Sequence, residues 1–550
     1  MKGGPALGLL AVAVLAGGLR APLLGAVGAA AAAILAAAEA PLLLGPAVWW
    51  LPWLGWAALS CALSAQPWAG LPVLARWSAF VVFLALAAGW DARARRLWLT
   101  GFCALAAILA AAALATGAGV GFGSTMTGLL PPYYNYTAFV LAAAAAAALA
   151  WALSPEAPKT TARAWLWILV IVLTACLLLA RSRGGLMGLS ASAAWLVWRR
   201  GGTKVLVVMI AALVVSIIFA PDAWKNAAFK RGRALGEARP AIWRAAVGLA
   251  AGSPWLGEGP GNFSVGYLRR PARSAQGAAN WGLWTPYAHS EPLQAAAETG
   301  VAGLALWLLG FGASTIGAFR GARGRLGAAE IAARAALIAV LPQMLMDNML
   351  QLPGLAFVYA SLLAVSRPTP STRGSAELPR VSAAALAVFA LVSAVPGFLA
   401  APAEAGVEIE KRMTRVERAV RIFPMDAPRR EDLAQTLEEA GRRQEALEQW
   451  SAAERLAPFN AIYPWRRARL TPAAAAEAPL RRALELEPGF LSARVDYVLV
   501  LRALGRRDEE RAEIAELKRR AALPPPSTMS GYERTIVRRL PADLARAGIK

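Results

Sequence analysis

The chain has 550 residues, 57% of them hydrophobic, with a mean hydropathy of +0.47. Fifty-seven Lys and Arg against 34 Asp and Glu give a net charge of +23. Apolar runs of about 20 residues, long enough to cross a bilayer, recur from residue 5 to residue 400, which excludes a soluble globular enzyme. Much of the positive charge lies in short loops beside those runs, where the positive-inside rule accounts for it and nucleic-acid binding is not implied.

In chain order, thirteen spans are expected near 4–20, 22–38, 46–64, 69–89, 97–117, 134–153, 163–181, 184–199, 204–220, 289–315, 329–349, 353–366 and 381–401. The first run, behind Met1 and Lys2, imitates a signal peptide, but so many spans follow that an uncleaved helix is the simpler expectation. The eleventh and twelfth spans can be read as a hairpin split at Pro353 and Gly354. Cys61, Cys103 and Cys176 all fall inside apolar runs, without metal-ligand or disulfide spacing, and are expected to pack.

Five basic loops set the orientation: Asp91 to Arg96, Lys159 to Arg163, Arg199 to Lys204, Arg320 to Arg325 and Ser366 to Arg380. Thirteen spans place all five on one side, the cytoplasm, with the N-terminus. Arg20 falls on the opposite side. The loop 221–288 then lies outside; it is itself basic, which suits an anionic ligand or anionic lipid headgroups.

After residue 402 the composition turns to Arg, Glu, Ala and Leu with helical periodicity. Similar phrases close on Pro424, Pro458 and Pro488, and Gly441 and Gly505 mark turns between them. Spacings near 34 residues predict a tetratricopeptide-like solenoid over 403–522 with a concave face for a protein partner, followed by a tail 523–550. Parity places this domain outside as well. The expected fold is therefore all-α: a transmembrane domain over 1–402, then the solenoid.

His289 is the chain's single histidine and stands at the mouth of the tenth span. Imidazole exchanges protons near neutral pH without special tuning. Arg181, Ser182, Arg183, Gly184 and Gly185 end the seventh span on the same side. Arginine near membrane depth is costly and tends to be functional unless it snorkels. Arg239 to Arg244 reads as an amphipathic interfacial helix, and Gly257 to Phe263 as a glycine-rich turn, weak evidence of phosphate binding on its own.

Taken in order, Ser182-Arg183-Gly184-Gly185, then Arg239 with Ile242-Trp243 ahead of Gly259, Gly261 and Asn262-Phe263, then His289 with Leu293, Glu298, Gly300 and Gly303, resemble the O-antigen ligase and polymerase superfamily over residues 120 to 365. The resemblance implies a GT-C-like, metal-independent, inverting glycosyltransferase of the bacterial inner membrane. Its donor would be a glycan on undecaprenyl diphosphate, used at the periplasmic face with no cofactor. O-antigen ligase, with lipid A–core as acceptor in lipopolysaccharide assembly, is the leading expectation. A polysaccharide polymerase or an O-linked protein oligosaccharyltransferase would instead present a glycan or protein acceptor. By the same resemblance His289 matches the essential histidine, and Arg183 and Arg239 match arginines that hold the diphosphate, with Arg181 an additional cation. Asn135 takes the place of a span-opening Asn; Asp347 and Glu298 are candidates to support the site from behind. His289 can serve as general base or as a donor to the diphosphate. The non-enzymatic alternative, an envelope transporter or scaffold, calls for a broken helix at mid-membrane, whereas a transferase gathers basic residues at the outer face, as this sequence does.

Overall fold

The computed structural model describes residues 45–115, 134–155, 161–180, 182–219, 235–269, 285, 287–320, 326–368 and 408–522, with a few positions between 541 and 549. Among these every regular element is helical, and the chain is a polytopic helical membrane protein. After a 3-10 turn at Gly45–Trp50 come α1 (Leu51–Ala62), α2 (Pro67–Ala88), α3 (Ala92–Ala115), α4 (Tyr134–Ala152), α5 (Thr161–Ala180), α6 (Arg183–Phe219), α7 (Leu235–Gly252), α8 (Phe263–Arg269), α9 (Glu291–Phe319), α10 (Ala328–Met346) and α11 (Pro353–Val365). Among the described residues six helices are long and apolar enough to cross a membrane: α2 to α5, α9 and α10.

Three expected spans, 4–20, 22–38 and 381–401, lie outside the described residues. Two others differ from expectation. The span expected at 46–64 is a 3-10 turn followed by the 12-residue α1. The hairpin expected to split at Pro353 and Gly354 instead turns at 347–352, because Pro353 occupies the first turn of α11, where its missing N–H costs nothing. All 13 residues of α11 are buried. It is a core helix packed on α2 and α10, too short at about 1.5 Å per residue to span alone.

The core is built from small side chains. Ala142 to Ala148 of α4 are fully buried, and α5, α6 and α10 pack on that helix. Lipid offers no hydrophobic drive between helices, so close approach over alanine, with its dispersion contacts, replaces it. A Trp cluster fills the wider gap between α1, α2 and α9: Trp50 stacks on Trp77 with ring centroids 5.3 Å apart, and Trp307 meets Trp50 edge-on at 6.0 Å.

Hydrogen bonds identify which helix ends lie together. The starts of α4, α6 and α9 and the end of α10 form one end of the bundle; Asn135, Ser182, His289 and Asp347 are linked there. At the other end Arg95 reaches Glu330 (3.9 Å) and the Arg367 carbonyl, and Arg334 Nε donates to the Ser366 carbonyl (2.9 Å). Arg163 donates to Ser154 where α4 gives way to α5. The described parts of the basic loops therefore sit opposite His289.

Residues 408–522 form seven helices: α12 (Ile409–Ile422), α13 (Ala427–Glu439), α14 (Arg443–Leu456), α15 (Ile462–Arg469), α16 (Ala473–Leu486), α17 (Leu491–Ala503) and α18 (Arg507–Ala521). Each packs on its neighbours in sequence. Pro424, Pro458 and Pro488 follow the ends of α12, α14 and α16, and Gly441 and Gly505 turn the chain at φ +76° and +75°. This unit touches the α1–α2 corner at the His289 end: Gln66 Nε2 donates to the Leu456 carbonyl (2.8 Å), and Trp68 meets Phe423 edge-on.

Two breaks interrupt long helices. Gly202 (φ +70°) splits α6 between the spans expected at 184–199 and 204–220, neither of which is among the six described helices long and apolar enough to cross a membrane, and Gly300 (φ +72°) splits α9. An added Cβ at Gly202 would meet nothing within 4 Å, whereas at Gly300 it would lie 2.4 Å from the Trp255 carbonyl oxygen. Gly202→Ala should therefore cost only the backbone strain of a side chain at φ +70°, ψ −174°, a region essentially reserved for glycine, of order 1–3 kcal/mol. Gly300→Ala should lower the thermal midpoint, followed by Trp fluorescence in detergent, several-fold further. Equal shifts would show that the α9 break tolerates a side chain.

Candidate active site

The break in α9 determines where the site can form. Gly300, at φ +72° and ψ −177°, is extended inside a membrane helix and orphans the carbonyls of the preceding turn, which lipid cannot satisfy. The loop after α7 does so. Glu258 N–H donates to the Ala297 carbonyl (2.9 Å) and Gly259 N–H to the Glu298 carbonyl (2.9 Å), while Val301 N–H returns a bond to Pro254 (2.6 Å). From α1, Trp56 Nε1 donates to the Thr299 carbonyl (3.0 Å), and the one Ser60 hydroxyl proton lies between the carbonyls of Leu256 (2.6 Å) and Glu298 (3.1 Å). Gly257 has to be glycine for the same contact, since an added Cβ would lie 2.4 Å from the Glu298 carbonyl carbon. The glycine-rich turn is thus a plug of backbone in a broken helix, and the break is filled by the chain itself.

Glu298 belongs to that plug. Its carboxylate accepts from Gln294 Nε2 (2.8 Å) and Phe263 N–H (3.4 Å). Expected to support His289, it lies two turns down α9, bonded both to the loop through Phe263 and to Gln294, the amide that also holds Ala288 N–H and Asn348 Nδ2.

His289 lies just before α9. Its φ is +52°, the single positive value of any non-glycine residue among those described. Such a conformation costs of order 1–3 kcal/mol and persists only where surroundings over-determine it. Two contacts do so here: Trp243 Nε1 of α7 donates to the His289 carbonyl (3.3 Å), and the ring Nδ1 lies 3.0 Å from Asp347 Oδ1. Ile242, Ala245, Ala246 and Leu249, on the buried face of α7, pack with Phe263, Ala288 and Ala297, and that packing seats Trp243 over His289.

Asp347, just past α10, is the centre. Its Oδ1 also accepts Asn348 N–H (3.0 Å); its Oδ2 accepts Asn135 Nδ2 (2.5 Å) and Arg239 Nη2 (3.0 Å). Burial works against its charge, but the hydrogen bond to His289, the Arg239 guanidinium and the Asn348 N–H outweigh it and hold the carboxyl below the usual carboxylate range. Arg239 also donates to the Met346 carbonyl (2.6 Å). Asn135 accepts from Ser182 Oγ (2.7 Å), the residue that caps α6 by accepting Gly185 N–H (3.3 Å). Arg183, first in α6, is therefore tied to Asp347 through Ser182 and Asn135. Arg181 lies outside the described residues.

The structure thus joins His289, Asp347, Asn135 and Arg239 directly, Arg183 through Asn135 and Ser182, and Glu298 through Gln294. Sequence reading did not single out Ser182 as a link, or Gln294, whose Oε1 accepts Ala288 N–H (2.7 Å) and Asn348 Nδ2 (3.4 Å). The available signal was an amide inside an apolar run, where an unsatisfied polar group is expensive.

Chemically, an ionised Asp347 accepts a proton-bearing Nδ1, which leaves the other ring nitrogen, Nε2, as an acceptor. A guanidinium at the edge of the same group supplies positive charge. That combination suits proton removal from a hydroxyl beside an anionic leaving group.

A family model described as O-antigen ligase matches residues 168–308, about a quarter of the chain. The segment carries Arg181, Arg183, Arg239, His289 and Glu298, and leaves Asn135 and Asp347 outside it. The match supports a glycan ligase or polymerase type of function in general terms. No curated protein matches the chain.

The strained backbone makes a direct prediction. Glycine accepts φ +52° without a Cβ penalty. His289→Gly should therefore be more stable than His289→Ala by about 1 kcal/mol, read as a higher thermal midpoint. The reverse order would remove the strain from the account.

Proposed function

We propose that this protein is an inverting, metal-independent glycosyltransferase that moves a glycan from undecaprenyl diphosphate to an acceptor hydroxyl. The observation that carries the reading is the Asp347–His289 pair, held in a strained conformation beside Arg239 at one end of a membrane bundle. His289 Nε2 takes the proton from the acceptor hydroxyl. The oxygen attacks the anomeric carbon from the face opposite the phosphate, the bond from that carbon to the phosphate oxygen breaks, and the diphosphate leaves with the electron pair. Arg239, Arg183 and Arg181 stabilise charge on the diphosphate as a clamp of arginine forks. Asp347 orients His289 and stabilises the imidazolium that forms, and Asn135 orients Asp347.

The positive-inside rule assigns the end bearing Arg95, Arg163, Arg320 and Arg367 to the cytoplasm of an inner membrane, so that the His289 end faces the periplasm. The unit over 408–522 touches the bundle at that end, in keeping with a periplasmic, tetratricopeptide-like domain able to hold a protein partner. Lipid A–core is the acceptor of the leading reading, an O-antigen ligase in lipopolysaccharide assembly. Polymerase and O-linked protein oligosaccharyltransferase readings share the donor and differ in acceptor. A transporter would keep its broken helix open to cargo, and in α9 the break is occupied by backbone of residues 254–259.

Protein purified in detergent, given undecaprenyl-diphosphate-linked glycan and, in separate arms, lipid A–core, free glycan repeat or envelope protein, should transfer with inversion to lipid A–core. His289→Ala should lose transfer by about 100-fold or more, the scale of a general base, while still inserting. Retained transfer by that variant would remove His289 from the chemistry; transfer only to glycan or to protein would reassign the acceptor.

A further inference from the structure

Arg76 is a cation inside a membrane helix, nine residues from the start of α2 and so about 14 Å below its end. A cation at such depth is costly and is normally neutralised and used. Its Nη2 donates to Gln351 Oε1 (2.6 Å), and Gln351 Nε2 donates to Glu291 Oε2 (3.3 Å). The other Glu291 oxygen accepts Leu350 N–H (2.5 Å). Glu291 is the first residue of α9, two after His289, while Leu350 and Gln351 follow Asp347 by three and four residues. Gln351 bridges cation and carboxylate with its amide in the one orientation that satisfies both.

We propose that Arg76, Gln351 and Glu291 form a positioning relay that fixes the separation of His289 from Asp347, so that Arg76 governs turnover and not substrate affinity. The proposal rests on reading His289 as the base. The relay ties together the two segments that carry the pair, on the membrane side of the direct His289–Asp347 contact, and anchors both to α2. Without the guanidinium, Gln351 loses the partner that sets its amide, and Glu291 loses the cation that balances it. The turn at 347–352 is then free to shift against the start of α9. With Glu291→Gln, an amide N–H must face either Gln351 or Leu350 N–H, so Gln351 has to flip away from Arg76.

The test compares Arg76→Met, Arg76→Lys, Glu291→Gln and the double variant Arg76→Met/Glu291→Gln in the transfer assay, with thermal midpoints alongside. A second readout needs no transfer: because His289 is the only histidine, the rate at which diethyl pyrocarbonate forms carbethoxyimidazole, read by its ultraviolet absorbance on protein without a histidine tag, reports on it alone. We expect Arg76→Met to lower kcat by about 10- to 100-fold, as misplaced catalytic groups do, with donor KM within about twofold. Arg76→Lys should recover most of the loss. The double variant should be no worse than Arg76→Met, as for groups acting as one unit, and the modification rate should change in the same variants. If Arg76→Met does not fold, Gln351→Ala must reproduce the kcat loss. Wild-type kcat in Arg76→Met, a loss confined to KM, or additive losses in the double variant would overturn the relay. Should the wild-type protein transfer nothing to any acceptor, the base reading fails, and an unchanged modification rate across the variants would separately overturn the relay.

Discussion

One buried carboxylate holds the candidate site together. Asp347 is paired with His289 Nδ1 and accepts Arg239 Nη2, Asn135 Nδ2 and its neighbour's N–H, so four separate segments of chain converge on two oxygens. A carboxylate removed from water is stable only when its lone pairs are filled by donors and its charge is balanced. That demand fixes the register of α4, α7 and α10 against the start of α9. It also gives His289 a reason to sit at φ +52°, since a relaxed backbone would take the ring away from Asp347.

A second constraint works from below. Breaking α9 at Gly300 lets its first turns, with Glu291 and Gln294, adopt a direction that the lower helix does not dictate. The freed carbonyls then require donors, and Glu258 and Gly259 N–H supply them from the loop that leads out of α7. The arm bearing Arg239 and Trp243 is thereby fastened to the helix that follows His289. Positioning of His289 and satisfaction of a membrane backbone are parts of one piece of architecture. The contacts of Gln66 and Trp68 with the α12–α14 region begin in the same corner.

Much of this was legible in the residues. The all-helical membrane class followed from the apolar runs, and the prolines at 424, 458 and 488 marked helix ends that the structure reproduces. His289 stood out because it is alone, and Arg239 because an arginine precedes an interfacial Ile-Trp pair. Asp347 was no more than a helix-end acid in the sequence; its importance arises from contacts across 58 and 212 residues, which no local pattern encodes. The glycines near 257–261 drew attention for their spacing, yet they serve the broken helix. A glycine that admits a phosphate and one that admits another backbone look alike in sequence, because both only need the Cβ to be missing. The Arg76–Gln351–Glu291 chain was invisible for a related reason: its members sit in three separate stretches of sequence, two apolar runs and the turn at 347–352.

The central claim is that Asp347 fixes the tautomer of His289. With one histidine in the chain, protein labelled with 15N at histidine and carrying no histidine tag yields ring-nitrogen signals from this residue alone. In the neutral imidazole the account predicts a proton on Nδ1 and a bare Nε2, with that preference lost in Asp347→Asn. A proton on Nε2, or a spectrum indifferent to Asp347→Asn, would contradict it.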